Sequence, residues 1–317
     1  MRTLILALAC LAAAAAHAQE YPSRSIRVVV PYSAGGSSDG PMRVIAQEMS
    51  KQLGQQMVVE NKPGQGAMLG SADVVKAPPD GYTLLLASNP NAISASLYSK
   101  LTHDPVEDFA PISLLASEQA VLLVHPSLPA KNLREFITYV KERPGKVDYS
   151  SSGNGSAQHL FMAMFTSMAG IQMNHIPYKG SAQAVTDLIG GQVSAAMPGL
   201  AAMRGHIREG RARALAVTGA RRASAVPEIP TMIEQGMKDY ELYVWMGMLA
   251  PKGTPTAVIE RLQREFATAL RTPAVKSFMD NAAIEAVGST PAEFGKFFRE
   301  EKVRWAKIIK ETGARVD

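Results

Sequence analysis

Short runs rich in β-branched and other apolar residues recur along almost the whole chain, and stretches with helical periodicity fill the gaps between them. The runs fall at 26–31, 57–60, 82–87, 121–125, 147–150, 173–176, 193–197 and 214–218. A strand followed repeatedly by a helix buries its apolar residues by laying helices on both faces of a sheet, so the pattern predicts an α/β fold with mostly parallel strands. Two longer apolar segments, 110–125 and 240–250, break the alternation, and each is long enough to leave one lobe and enter another. Two crossings give a discontinuous first lobe, 19–123 plus 242–317, and a second lobe, 124–241, with a ligand cleft between them. One helical face carries Val258, Ile259, Leu262, Phe266, Ala269 and Leu270, and another carries Phe294, Phe297, Phe298, Trp305, Ile308 and Ile309. Both are expected to be core.

The first 18 residues read as an export signal: Arg2, an apolar stretch from 4 to 16, and the small-x-small site Ala16-His17-Ala18, with cleavage expected after Ala18. The stretch is shorter than the roughly 20 apolar residues that span a bilayer. Cys10 is the sole cysteine. A chain that loses it has no disulfides, thiol nucleophile or Cys-ligated metal, and its stability rests on core burial. The net charge of +5 is too dispersed for a nucleic-acid surface. The densest basic stretch holds Arg204, Arg208, Arg211, Arg213, Arg221 and Arg222, which reads either as a solvated helix end and loop or as a docking patch for an acidic partner.

Two small-residue loops, each between a predicted strand and a predicted helix, carry the candidate chemistry. The first includes Tyr32, Ser33, Gly35, Gly36, Ser37 and Ser38, with Asp39 as a possible N-cap and Pro41 in the first turn. The second includes Ser151, Gly153, Asn154, Gly155, Ser156 and His159. Glycines admit close approach to the backbone, and the free N–H groups of a helix start favour an anion. Neither loop has the phosphate-loop lysine pattern or the dinucleotide glycine spacing. A third loop, 61–70, could close the same cleft, with Lys62 as a charge partner or simply solvated.

The ordered motifs P-Y-S-A-G-G-S-S-D followed by Arg43, V-E-N-K-P-G-Q-G, P-P-D-G-Y-T-L-L, Y-S-S-S-G-N-G-S-A-Q-H-L, P-Y-K-G and A-P-K-G-T-P resemble those of the Bug family, the receptors of tripartite tricarboxylate transporters. The resemblance runs from Tyr21 to the C-terminus. It implies a type II-like, two-lobed periplasmic-binding-protein fold that closes on a small carboxylate, often a di- or tricarboxylate, an aromatic acid or an amino acid, without cofactor, metal or catalytic residue. It also implies a periplasmic monomer that hands its solute to inner-membrane transporter subunits. The ligand residues it implies are Tyr32, Ser33, Gly35, Gly36, Ser37 and Asp39 in the first loop, and Ser151, Gly153, Asn154, Gly155, Ser156 and His159 in the second. Lys179 and Gly180 of P-Y-K-G, and Asp187 in the following helix, are placed near them by the same analogy.

Two positions depart from the family pattern. The run from Ala87 to Ala92, which contains Asn89, replaces a G-T-x-G-T-H-like sequence, and Pro198-Gly199 stands where many members have an aspartate. Loss of that acid is expected to disfavour ligands with an ammonium group and leaves a plain organic acid as the expected guest. The competing enzyme reading is a secreted α/β hydrolase, because Gly36-Ser37-Ser38-Asp39-Gly40 matches G-x-S-x-G with Ser38 as nucleophile and His159, His175 or His206 as base. Several residues between Val30 and Ser38 argue against the sharp turn such a serine needs.

Overall fold

The computed structural model describes residues 21–35, 38–64, 66–98 and 100–313. The expected export signal and cleavage after Ala18 lie outside the described residues, as do Gly36 and Ser37. Chain order begins β1 (Ile26–Val30), α1 (Asp39–Leu53), β2 (Met57–Asn61), α2 (Met68–Val75), β3 (Thr83–Ser88), α3 (Asn89–Leu97) and β4 (Phe109–Gln119). It continues with β5 (Val121–Val124), α4 (Leu133–Lys141), β6 (Asp148–Ser151), α5 (Ala157–Ala169), β7 (Asn174–Pro177), α6 (Ser181–Ile189), β8 (Ala195–Ala196), α7 (Leu200–Arg208) and β9 (Arg213–Val217). The last elements are β10 (Tyr243–Pro251), α8 (Thr256–Ala269), α9 (Pro273–Ala282), β11 (Glu285–Ala286) and α10 (Pro291–Thr312).

These strands form a six-stranded sheet, ordered β11-β4-β10-β3-β1-β2, and a five-stranded sheet, ordered β7-β6-β8-β5-β9. Each is mixed. β1 pairs in parallel with β2 and β3, and β6 with β7 and β8, because a helix returns the chain between them. The pairs made by β4, β5 and β10 are antiparallel, since these strands carry the chain directly from one sheet to the other and back. The first change of sheet comes at Ala120, so β5 lies wholly in the second sheet and the expected boundary after residue 123 falls inside it. A continuous apolar run over 110–125 hides the break, because β4 and β5 are both largely buried.

Helices cover both faces of both sheets. On one face of the first sheet, Val28, Val30, Leu84 and Leu86 pack with Met42 and Ile45 of α1 and with Ile259, Leu262 and Phe266 of α8. The opposite faces of the two sheets share a single apolar cluster that includes Leu85, Phe136, Phe161, Phe165, Phe294, Phe298 and Trp305. The C-terminal helix α10 joins them: Trp305 stacks on Phe161 of α5 with ring centroids 5.8 Å apart. Glu301, buried at 4% exposure, accepts from the indole N–H of both Trp245 and Trp305 at 3.0 Å, so its buried carboxyl is satisfied. Within the second half, the Tyr240 hydroxyl donates to the Phe161 carbonyl at 2.6 Å.

Candidate solute-binding site

Strand direction decides where the loops sit. β1 and β3 are parallel, so the turns leaving their C-terminal ends lie on one edge of the first sheet. Met246 of β10 faces Ser88 at the end of β3, and Tyr243 faces Gln119 at the end of β4, so the chain also leaves and re-enters the sheet on that edge. In the second sheet β6, β7 and β8 end where β5 begins and β9 ends, with Leu123 opposite Ala196 and Val121 opposite Val217. Both glycine-rich turns therefore lie on crossover edges, beyond the carboxyl ends of parallel strands, where open α/β sheets take their ligands.

In the first turn Gly35 adopts φ +76, which favours glycine, and a side chain there would meet no atom of the described residues within 4 Å. Its N–H is not free. It donates to Asp39 Oδ2 at 3.0 Å, and the same oxygen accepts from Arg43 Nε at 2.9 Å while Oδ1 accepts from Asn61 Nδ2. Asp39 therefore begins α1 without acting as its side-chain cap: Ser38 is the N-cap residue, with no side-chain cap bond. Burial pushes the Asp39 carboxyl up, but the bonds from Arg43, Gly35 and Asn61 outweigh it and hold the carboxyl below its ordinary range. Its charge sits at a helix N-terminus, where it is favourable, and it braces the loop. Ser33 and Gly35 are exposed, whereas the Tyr32 hydroxyl donates to Asn91 Oδ1 at 3.1 Å. The N–H groups left for a ligand are those of the first turn of α1, less the one that Pro41 lacks.

In the second turn Gly153 and Gly155 have φ +127 and φ +73, and their N–H groups are taken by Ser151 Oγ and His159 Nδ1 at 3.2 Å each. His159 is thus the buried brace of the loop, with Nδ1 as acceptor and the ring proton on Nε2. It stacks on His175 with centroids 4.1 Å apart, and His175 Nε2 lies 2.6 Å from the buried Ser151 hydroxyl. Burial and the neighbouring His159 push His175 down to about 4, and burial also lowers His159. A neutral imidazole pair therefore holds the turn. Ser156 caps α5 by accepting from His159 N, leaving exposed Asn154 and the helix start to face outward.

Three other expected contacts are spent elsewhere. Asn89 is fully buried and copies a strand: its amide donates to the Tyr243 carbonyl at 3.0 Å and accepts from Trp245 N at 3.2 Å. Asp187 accepts from the Tyr178 hydroxyl and from Gln183, while Lys179 is exposed beside them. Lys62 pairs with Asp73 at 3.0 Å and with Glu60 at 3.4 Å, in a network that Arg27 completes. Among the described residues Ser38 forms no hydrogen bond to an imidazole, and His159 and His175 bond to the 151–156 turn instead. No group of metal-ligating side chains occurs among the described residues.

Glu118, which no motif marks, is the acid of this edge. It lies at the end of β4 with 7% exposure, shares a small cavity with Ser38 and Trp245, and accepts from Ala201 N at 2.9 Å at the start of α7 in the other sheet. A side chain at Gly199 would overlap this carboxyl, whose Cδ would lie 2.7 Å from the added Cβ. The space beside Pro198-Gly199, where many members have an aspartate, is thus filled by an acid from the other sheet. Burial drives the Glu118 carboxyl up to about 7 against the pull of the Ala201 N–H, so near neutral pH it is only partly charged. Its signal in the sequence was one acid inside an apolar run that crosses between sheets.

Residues 42–314 match the family described as tripartite tricarboxylate transporter family receptor. The chain belongs to that family. The Protein BugT of Bordetella pertussis is 38% identical over 306 residues, covering 96% of this chain and 94% of the relative. Among solved structures, the periplasmic binding protein BugD superposes with a TM-score of 0.85 at 34% identity, covering 93% of this chain and 99% of its own. The R. palustris protein Rpa4515, solved with adipate, gives a TM-score of 0.87 at 32% identity, over 93% of this chain and 99% of that chain. As a tripartite tricarboxylate transporter receptor, the chain is a solute-binding protein of a periplasmic family, and its two sheets are the two halves of that receptor fold.

Proposed function

We propose that the receptor captures a small organic dicarboxylate between its two crossover edges. One carboxylate docks at the first turn of α1 beside Gly35, the 151–156 turn adds the start of α5 and Asn154, and the loaded form is passed to inner-membrane transporter subunits. The observation that carries this reading is the shared position of the two turns, each at a helix N-terminus on a crossover edge. The adipate in Rpa4515 supports the ligand class. Charge-assisted hydrogen bonds contribute about 1.5–3 kcal/mol each, so three or four approach the roughly 8 kcal/mol of micromolar binding before ordering costs. No chemical step is part of the cycle; the protein acts by binding and release. The working form is a monomer exported with its signal removed after Ala18, with lobes 19–120 plus 242–317 and 121–241. Calorimetry with C4 to C6 dicarboxylates and their monocarboxylate analogues tests the reading. Saturable binding of a diacid is expected, and turnover of a generic ester that Ser38→Ala abolishes would overturn it.

A further inference from the structure

A groove of about 1020 Å³ adjoins the Glu118 cavity and is lined from both halves of the molecule. Arg204, Arg221 and Arg222 enter it from the second half, and Arg271 and Lys276 from α9 and the turn before it. Against these five cations stand two exposed acids, Asp280 and Glu285, besides the partly charged Glu118. Arg204 donates to the Asn281 carbonyl across the groove, and Arg222 pairs with Glu234. Arg221, Arg271 and Lys276 are exposed and make no ion pair among the described residues. Arg221 is nevertheless held in place, since its own carbonyl accepts from Gln119 Nε2 at the end of β4. Two others of the basic stretch are committed: Arg213 donates to the carbonyls of Pro126, Leu128 and Ala130, and Arg211 pairs with Glu209, while Arg208 is exposed at the end of α7 and does not line the groove.

We infer that this groove is the docking surface for an acidic segment of a protein partner. Its volume is at the top of the range of small-molecule sites, and its cations are spread over both walls rather than converging on one point. That arrangement suits a row of carboxylates on an extended chain better than one small anion. Because the two walls belong to different sheets, the cations are in register for such a segment only at one relative setting of the halves. A partner seated there senses that setting. The inference rests on the receptor reading only for the partner being the membrane component.

Fluorescein-labelled hexaglutamate is titrated into the whole protein and followed by anisotropy at about 10 mM and about 150 mM salt. Saturable binding that weakens with salt is expected, with at least an about tenfold loss in the double variant Arg221→Glu/Arg271→Glu. Lys296→Glu/Lys307→Glu makes the same charge change on α10 and is expected to bind as wild type does. Arg221→Gln/Arg271→Gln, with an unchanged melting temperature, excludes misfolding as the cause. Equal losses in both charge-reversed proteins, no binding at low salt, or citrate binding that the groove variants abolish while hexaglutamate does not bind would each overturn the inference. Unchanged dicarboxylate affinity in the groove variants keeps this test separate from that of the solute site.

Discussion

Two titratable groups, the buried Glu118 and the half-buried His175, bias stability in opposite directions. The Glu118 carboxyl is raised from an ordinary value of 4.5 to about 7 by burial, so between those values the folded chain holds a proton that the unfolded chain has released. Stability therefore falls as pH rises through that window, by up to about 3 kcal/mol for a shift of this size. Glu118→Gln is expected to remove this slope in urea titrations run from pH 4.5 to 7.5; an unaltered slope contradicts the assignment. His175 works the other way. Its folded value of about 4 lies below the ordinary 6.5, so the unfolded chain binds the proton first and stability is lost as pH falls from 6.5 towards 4. Because His159 and His175 hold the 151–156 turn, acid is expected to loosen that turn before the sheets, which amide exchange at Gly153 and Gly155 would report. Uniform exchange across the chain would contradict this.

At the scale of elements, the glycines of the 151–156 turn are expected to tolerate no side chain. Gly155→Val forces a β-branched residue to φ +73 and displaces the N–H that His159 holds. The expected result is loss of dicarboxylate binding by at least about a hundredfold with a cooperative melt retained, read by calorimetry and circular dichroism. Wild-type affinity would refute the role of the turn. The place of these turns was legible because each glycine cluster follows a β-branched run and precedes a helical pattern, although such a loop taken singly can be no more than a tight turn, and the eight predicted strands fall within a few residues of β1–β3 and β5–β9. Less legible was whatever depends on contacts distant in sequence. The amide of Asn89 serves residues 154 and 156 positions away, so a residue expected at the ligand is a clasp between α3 and β10. Asp39 reads as a helix cap by its place before Pro41, but the three donors that meet its carboxylate come from a turn, a helix and a strand. β11 has two residues and no periodicity, and only its pairing with β4 defines it.

The whole molecule is joined by α10, whose aromatic face belongs to the cluster shared by both sheets. Thermal unfolding is therefore expected as one cooperative transition despite the two halves. Trp305→Ala removes the stacking with Phe161 and the bond to Glu301, and is expected to cost about 3–5 kcal/mol and to separate the melt into two steps. A single unshifted transition would show that the shared core does not couple them. The central claim is that one guest is held by both halves at once, at turns more than a hundred residues apart in the chain. Its most direct test is amide NMR during titration with a C4 to C6 dicarboxylate. The account predicts that resonances of residues 33–40 and 152–158 shift together along one binding curve. Shifts confined to one turn, or binding that leaves both unmoved, would contradict it.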